Sequence, residues 1–163
     1  LVANEEDAAD VLDIHAAGTD VEAGKLNIAG YEQVAREITH RFPNVARVAV
    51  TLRESVSADY NRWGGMLFDA AADRTLYAPL DAAAAYRPFE IRDIVDRVGG
   101  GDSFAAGLMF ALNTTEHSDP QRALHFAVSA SCLKHSIIGD FNFSTRAEVE
   151  ALMGGAGAGR VRR

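Results

Sequence analysis

The chain has 163 residues, a length that suits one domain, and its 48% hydrophobic content is enough for a packed core and too high for a disordered tail. A formal net charge of −7 argues against a nucleic-acid or membrane-surface partner, because no broad excess of Lys and Arg is available to neutralise phosphates. The single cysteine excludes a disulfide framework and points to a reducing compartment.

In chain order, Leu1-Val2-Ala3 reads as the tail of a buried strand running into the acid-rich helix start of residues 4–10. The lack of an initiator Met suggests a piece of a longer protein. After a Gly/Asp-containing loop, residues 31–38 carry apolar side chains at helical spacing and end before Pro43. Residues 45–52 form a good strand. From 57 to 77 the pattern alternates loosely and is broken at Gly64-Gly65 and Asp73-Arg74, which predicts two or three short antiparallel strands joined by tight turns. An irregular connection follows. The glycine run then opens a helix over about 102–112, Pro120 opens another through about Lys134, and Thr145 caps a last one.

Cys132 lies in an apolar run and reads as a core thiol, with a catalytic nucleophile as the sharper alternative. The five histidines show no HExxH spacing and no pairing with cysteine, so a zinc site is not expected. No apolar stretch is long enough to span a bilayer and no signal-peptide pattern opens the chain, so the expected location is cytoplasmic and no membrane partner is expected. Residues 154–163, rich in Gly and ending in Arg160, Arg162 and Arg163, read as a flexible tail on a domain of residues 1–153.

The most informative segment is D-R-V-G-G-G-D-S-F-A-A-G, residues 96–107. Three glycines let an anion approach the backbone closely, and the helix that follows presents unsatisfied N–H groups and the positive end of its dipole. Asp102 is then a helix N-cap, a base held beside a phosphate, or both. A Walker loop is ruled out because no Lys-Ser/Thr follows the last glycine. A dinucleotide fingerprint counted from Gly99 fails at Phe104.

This segment resembles the second signature of the ribokinase/phosphofructokinase-B family of sugar kinases, D-T-x-G-A-G-D-x-F, departing from it at Arg97 and Gly100. Asn4-Glu5-Glu6-Asp7 is similar to the family's N-x-x-E element, with Asp7 in place of glutamate; the resemblance implies an indirect role for Asn4 and Asp7 around Mg²⁺, while the residues alone also read as acids at a helix start. Residues 48–53 resemble the strand that leads to the nucleotide, continuing into Glu54 and Ser55 instead of a glycine turn. Residues 133–142, L-K-H-S-I-I-G-D-F-N, resemble a segment of the 2-keto-3-deoxygluconate kinase branch. The resemblance covers nearly the whole chain but only the C-terminal half of such a kinase.

It implies a three-layer, Rossmann-like (ribokinase-like) α/β fold with a mostly parallel sheet and helices on both faces. It further implies an ATP- and Mg²⁺-dependent carbohydrate kinase acting on the terminal hydroxyl of 2-keto-3-deoxygluconate, with the chain by itself inactive. Asp102 would be the base and touch the sugar acid. Gly99, Gly100, Gly101 and Asp102 would cradle phosphate, and Leu52, Arg53, Glu54, Ser55, Lys134 and His135 would border the nucleotide. Arg53 reads equally as a solvated strand-end side chain, and His135 as a packing histidine. A fructokinase- or ribokinase-like enzyme and a non-catalytic nucleotide-binding module stay open, as does homo-oligomerisation of a full-length parent.

Overall fold

The computed structural model describes residues 1–3, 11–14 and 28–155. Asn4 and Asp7, the acid-rich helix start and residues 156–163 of the expected tail lie outside the described residues. Five strands form one sheet among them: β1 (Val2–Ala3), β2 (Arg47–Ser57), β3 (Tyr60–Asp69) and β4 (Arg74–Ala78) in that order, with β5 (Phe89–Arg92) on the other end of β3. The helices are α1 (Ile28–Arg41), α2 (Gly100–Leu112), α3 (Pro120–Lys134) and α4 (Arg146–Met153), and Thr115–His117 forms a short 3₁₀ turn.

Strand alternation builds the layers. On β2, Val48, Val50 and Leu52 face one side and join Val34, Ala35 and Ile38 of α1 with Met66 and Phe68 in one core. Ala49 faces the other side, where Trp63 and Leu67 meet Phe104, Leu108, Leu124, Phe126 and Val128 of α2 and α3. Phe104 and Leu124 are fully buried, each adding about 1.5–3 kcal/mol of transfer energy. The chain is thus α1, sheet, and α2 with α3 in three layers. Helix α3 is buried over most of its circumference, and its small residues let neighbours close in: a Cβ on Gly107 of α2 would stand 3.1 Å from Ala127 Cα. Asp119 caps α3 by accepting from the Arg122 N–H (2.9 Å), and Thr145 with Glu148 forms a capping box on α4.

Three expectations need correction. The fold class holds as mixed α/β, but among the described strands only β1 and β2 pair in parallel, while β2–β3, β3–β4 and β3–β5 are antiparallel. Short connections force that sense, since only β1 to β2 has a crossover long enough to carry a helix. Second, Gly64-Gly65 is not a turn; the hairpin turns at Ala58-Asp59, and both glycines lie inside β3. They are small for packing: a Cβ on Gly64 would stand 2.2 Å from Tyr86 Oη, and one on Gly65 would stand 2.8 Å from Val128 Cγ2. Third, β1 is not buried in the described structure, where Leu1 and Val2 are about half exposed. No helix among the described residues is long and apolar enough to cross a membrane.

Candidate functional site

The glycine run is fixed before its first glycine is reached. Asp96 accepts hydrogen bonds from the Val98 N–H (3.0 Å) and the Gly139 N–H (2.8 Å), and the Val95 N–H donates to the His135 carbonyl (2.9 Å). These bonds tie the entry to α2 against the loop that leaves α3. The two N–H donors hold the Asp96 carboxyl below the usual carboxylate range. Gly99 then takes φ +76°, and a Cβ there would lie 2.0 Å from the Asp140 carbonyl oxygen, so only glycine fits both the left-handed turn and the contact.

Gly99 is also the N-cap of α2, with no side-chain cap. The helix therefore begins at Gly100, two residues before its expected start, and Asp102 sits exposed inside the first turn. The N-cap reading of Asp102 is set aside. Behind the first turn, Ser131 of α3 donates its hydroxyl to the Gly100 carbonyl (2.8 Å), anchoring it to the buried layer. In front, Gly101 is open: nothing stands within 4 Å of where its Cβ would be.

Two hollows flank this turn. One is a recess of about 130 Å³ lined by Thr51, Arg53, Asn61, Trp63, Arg97, Gly100, Gly101 and His135. The other is a cleft of about 590 Å³, the size of a whole small-molecule site, whose lining includes Asp102, Asp140 and Arg146 above an apolar floor of Ala106, Phe110 and Phe126. Arg53, the glycines and His135, far apart in sequence, thus meet at one place.

The remaining predicted residues fall differently. Leu52 is buried toward α1, so only its backbone is on the site side of β2. Glu54 pairs with Arg62 (3.1 Å), and exposed Ser55 does not line the recess. Lys134 is fully buried and its Nζ donates to the Ile137 carbonyl (2.9 Å); its ammonium shapes the loop and is not open to a ligand. His135 is buried, with Nδ1 2.8 Å from the Ser131 carbonyl and its ring edge-on to Trp63. Burial, followed by the positive charges of Lys134, Arg97 and Arg53, pushes its pKa below the ordinary value.

Cys132 is buried, and burial pushes its thiol up to about 12, as suits a core residue and not a nucleophile. Among the described residues no group of three or more His, Cys, Asp or Glu side chains could hold a metal.

Asn61, Trp63, Arg97 and Asp140 were missed as site residues. The hairpin register pairs Arg53 with Trp63 and Ser55 with Asn61, so placing the turn at Ala58-Asp59 would have put both on the face of Arg53. Asp140 belongs to the segment read as a nucleotide border, but its place beside Asp102 depends on the Gly99 contact.

No protein-family model and no curated protein matches the chain. Among solved structures it is similar to the 2-dehydro-3-deoxygluconokinase of Thermotoga maritima, at 39% identity and a TM-score of 0.76, over 94% of this chain and 40% of that one. It is also similar to a PfkB family carbohydrate kinase of Listeria grayi (25% identity, TM-score 0.70, 94% and 40%). The likeness to ribokinase of Giardia lamblia, at 17% identity and a TM-score of 0.58 over 94% and 42%, shows the fold alone. The structural neighbours are carbohydrate kinases of the PfkB type, and the fold is ribokinase-like. The chain spans about 40% of the length of the structures it matches.

Proposed function

We propose that this chain is the C-terminal, nucleotide-binding part of a PfkB-type sugar kinase that transfers the γ-phosphate of MgATP to the terminal hydroxyl of a sugar acid, 2-keto-3-deoxygluconate. The observation that carries the reading is the position of Asp102. It stands exposed on the first turn of a helix whose N-terminus is bare glycine, between a small recess walled by Arg53 and Arg97 and a cleft of whole-ligand size. Phosphoryl transfer asks for little more than alignment and charge stabilisation. The N–H groups at Gly101 and Asp102 supply the second, with the helix dipole behind them, while the Gly100 N–H donates to the Arg97 carbonyl (3.2 Å).

Asp102 supplies alignment and a proton acceptor for the sugar hydroxyl, which would approach from the cleft side where Asp140 also stands. Mg²⁺ would arrive with the nucleotide, as it usually does, held mainly by phosphates and water. The 39% identity to a 2-dehydro-3-deoxygluconokinase supports the choice of sugar acid over fructose or ribose.

A coupled ADP-release assay tests this on the intact protein that carries the chain, comparing 2-keto-3-deoxygluconate with fructose and ribose under MgATP. Turnover confined to the sugar acid is expected. Turnover on fructose or ribose alone would move the assignment to a sister kinase, and nucleotide binding without turnover on any of the three would leave a non-catalytic nucleotide module.

A further inference from the structure

Ser131 carries a fully buried hydroxyl in the last turn of α3, and a serine there has a local outlet for its proton, the carbonyl four residues back on its own helix. It does not use it. The hydroxyl reaches across to α2 and donates to the Gly100 carbonyl (2.8 Å), although helix geometry already gives a first-turn carbonyl the N–H four residues on. The bond is therefore not needed to satisfy the backbone of α2. Ser129, two residues earlier and as deeply buried, has no hydrogen-bond partner, so burial on α3 does not by itself force this contact.

What the bond fixes is a peptide unit that little else holds. Gly100 and Gly101 have no side chains to pack, and nothing stands within 4 Å of a Cβ placed on Gly101. The Gly100 carbonyl and the Gly101 N–H are opposite ends of one planar peptide group. A donor on the oxygen thus sets the direction of the N–H and draws electron density away from it. That N–H is among the first of α2, which have no partner within the helix. Ser131 is held in turn: the His135 ring donates from Nδ1 to the Ser131 carbonyl (2.8 Å), and the His135 carbonyl accepts from the Val95 N–H (2.9 Å). The end of α3 grips both the approach to the glycine run and its first helical peptide.

We propose that Ser131 is a positioning residue for phosphoryl transfer, acting through the Gly100–Gly101 peptide to hold and polarise the Gly101 N–H where charge develops on the transferred group. This role rests on the kinase reading above. It adds a buried residue that touches no ligand and whose effect belongs to the transition state. A prealigned donor needs no reorganisation as charge grows, whereas the same N–H left loose must be ordered during the reaction.

Ser131→Ala and Ser131→Thr, made in the intact protein that carries the chain, test this with MgATP and 2-keto-3-deoxygluconate. Alanine strands no acceptor, because the Gly100 carbonyl keeps its helical N–H, and it suits a helix, so the variant should fold and melt close to wild type. Its kcat should fall about 10-fold, the worth of one neutral hydrogen bond and short of the roughly 10²–10³-fold that loss of a direct oxyanion donor costs. KM for either substrate should move by less than about 2-fold. Ser131→Thr keeps the hydroxyl and should recover most of the rate; if its extra methyl unfolds the core, Ser131→Cys, a weaker donor, should fall between serine and alanine. The Gly101 amide nitrogen, read by NMR, should shift upfield in the alanine variant and return towards wild type in the variant that keeps a donor.

A folded Ser131→Ala protein with wild-type kcat would overturn this role and leave the kinase reading intact. So would a rate loss that neither donor-bearing variant reduces, or one that falls on KM with kcat unchanged. A wild-type protein without turnover on any sugar would overturn the kinase reading itself, and the role of Ser131 with it.

Discussion

The carboxylate of Asp96 accepts the N–H of Gly139 at 2.8 Å and so joins the lead-in to the glycine run to the loop that follows α3. Its other oxygen accepts from Val98, two residues on, so one side chain sets both the turn before Gly99 and the loop on which Gly99 rests. Asp96→Ala removes both acceptors. Hydrogen exchange at the Val98 and Gly139 amides should quicken, and MgATP should bind more weakly.

The same contact carries a pH dependence with a definite sign. Because the folded state lowers the pKa of Asp96 from its ordinary 3.8, its contribution is fully present above that value and is lost as pH falls through the lowered one. Protection of the Gly139 amide should therefore hold from neutrality down to the ordinary carboxylate range and decline only below it. A decline centred near pH 6 to 7 would assign the loop to a histidine instead.

The glycines separate into a structural one and a functional one. Gly99→Ala forces an L-residue to φ +76° and its Cβ into the Asp140 carbonyl, and should cost at least about 2 kcal/mol in a urea melt. Gly101→Ala meets nothing and lies in a helix, so stability should hold or rise by up to about 1 kcal/mol. Its methyl group nonetheless stands where a phosphate would approach the backbone, so MgATP affinity should fall. Unchanged affinity in a folded Gly101→Ala protein would dismiss the cradle.

At the opposite end of α2, His117 is fully buried, accepting from Arg122 Nε at Nδ1 (2.9 Å) and holding Glu150 Oε1 of α4 at 2.8 Å from Nε2. This arrangement needs the proton on Nε2 and clasps the 3₁₀ turn, α3 and α4 together, with the ring packed on Phe126. His117→Ala should cost about 2–4 kcal/mol through the lost packing and two stranded partners. A loss below about 1 kcal/mol would mean that α4 docks without it.

Much of this was legible because it is local. The helix that Pro120 opens, the Thr145 cap and the apolar run around Cys132 each follow from residues within one or two turns, and the structure has them where expected. The errors share a cause. Gly64-Gly65 was read as a turn because glycine permits one, yet it serves the approach of Tyr86 and Val128, residues distant in sequence. The burial of Lys134 and the unpaired amide of Asn61 depend likewise on packing across elements, which periodicity does not register. Asp102 was found from its motif, but its freedom from capping duty depends on the conformation of Gly99.

That freedom makes Asp102→Asn a clean test of the chemistry. The side chain is exposed, caps nothing and keeps its shape on substitution, so stability should change by no more than about 1 kcal/mol, chiefly through the lost charge at a helix start. MgATP affinity in the intact protein should stay close to normal, since the amide leaves the glycine backbone as it was. Turnover with 2-keto-3-deoxygluconate should fall by roughly 10²–10⁴-fold, the usual cost of losing a general base, and in kcat more than in KM because the proton moves only in the transition state. Wild-type turnover would exclude Asp102 as the base. A loss of nucleotide affinity equal to the loss of turnover would instead make Asp102 a ligand of the metal-bound phosphates, leaving the proton to another acceptor, for which Asp140 in the same cleft is the next variant to make.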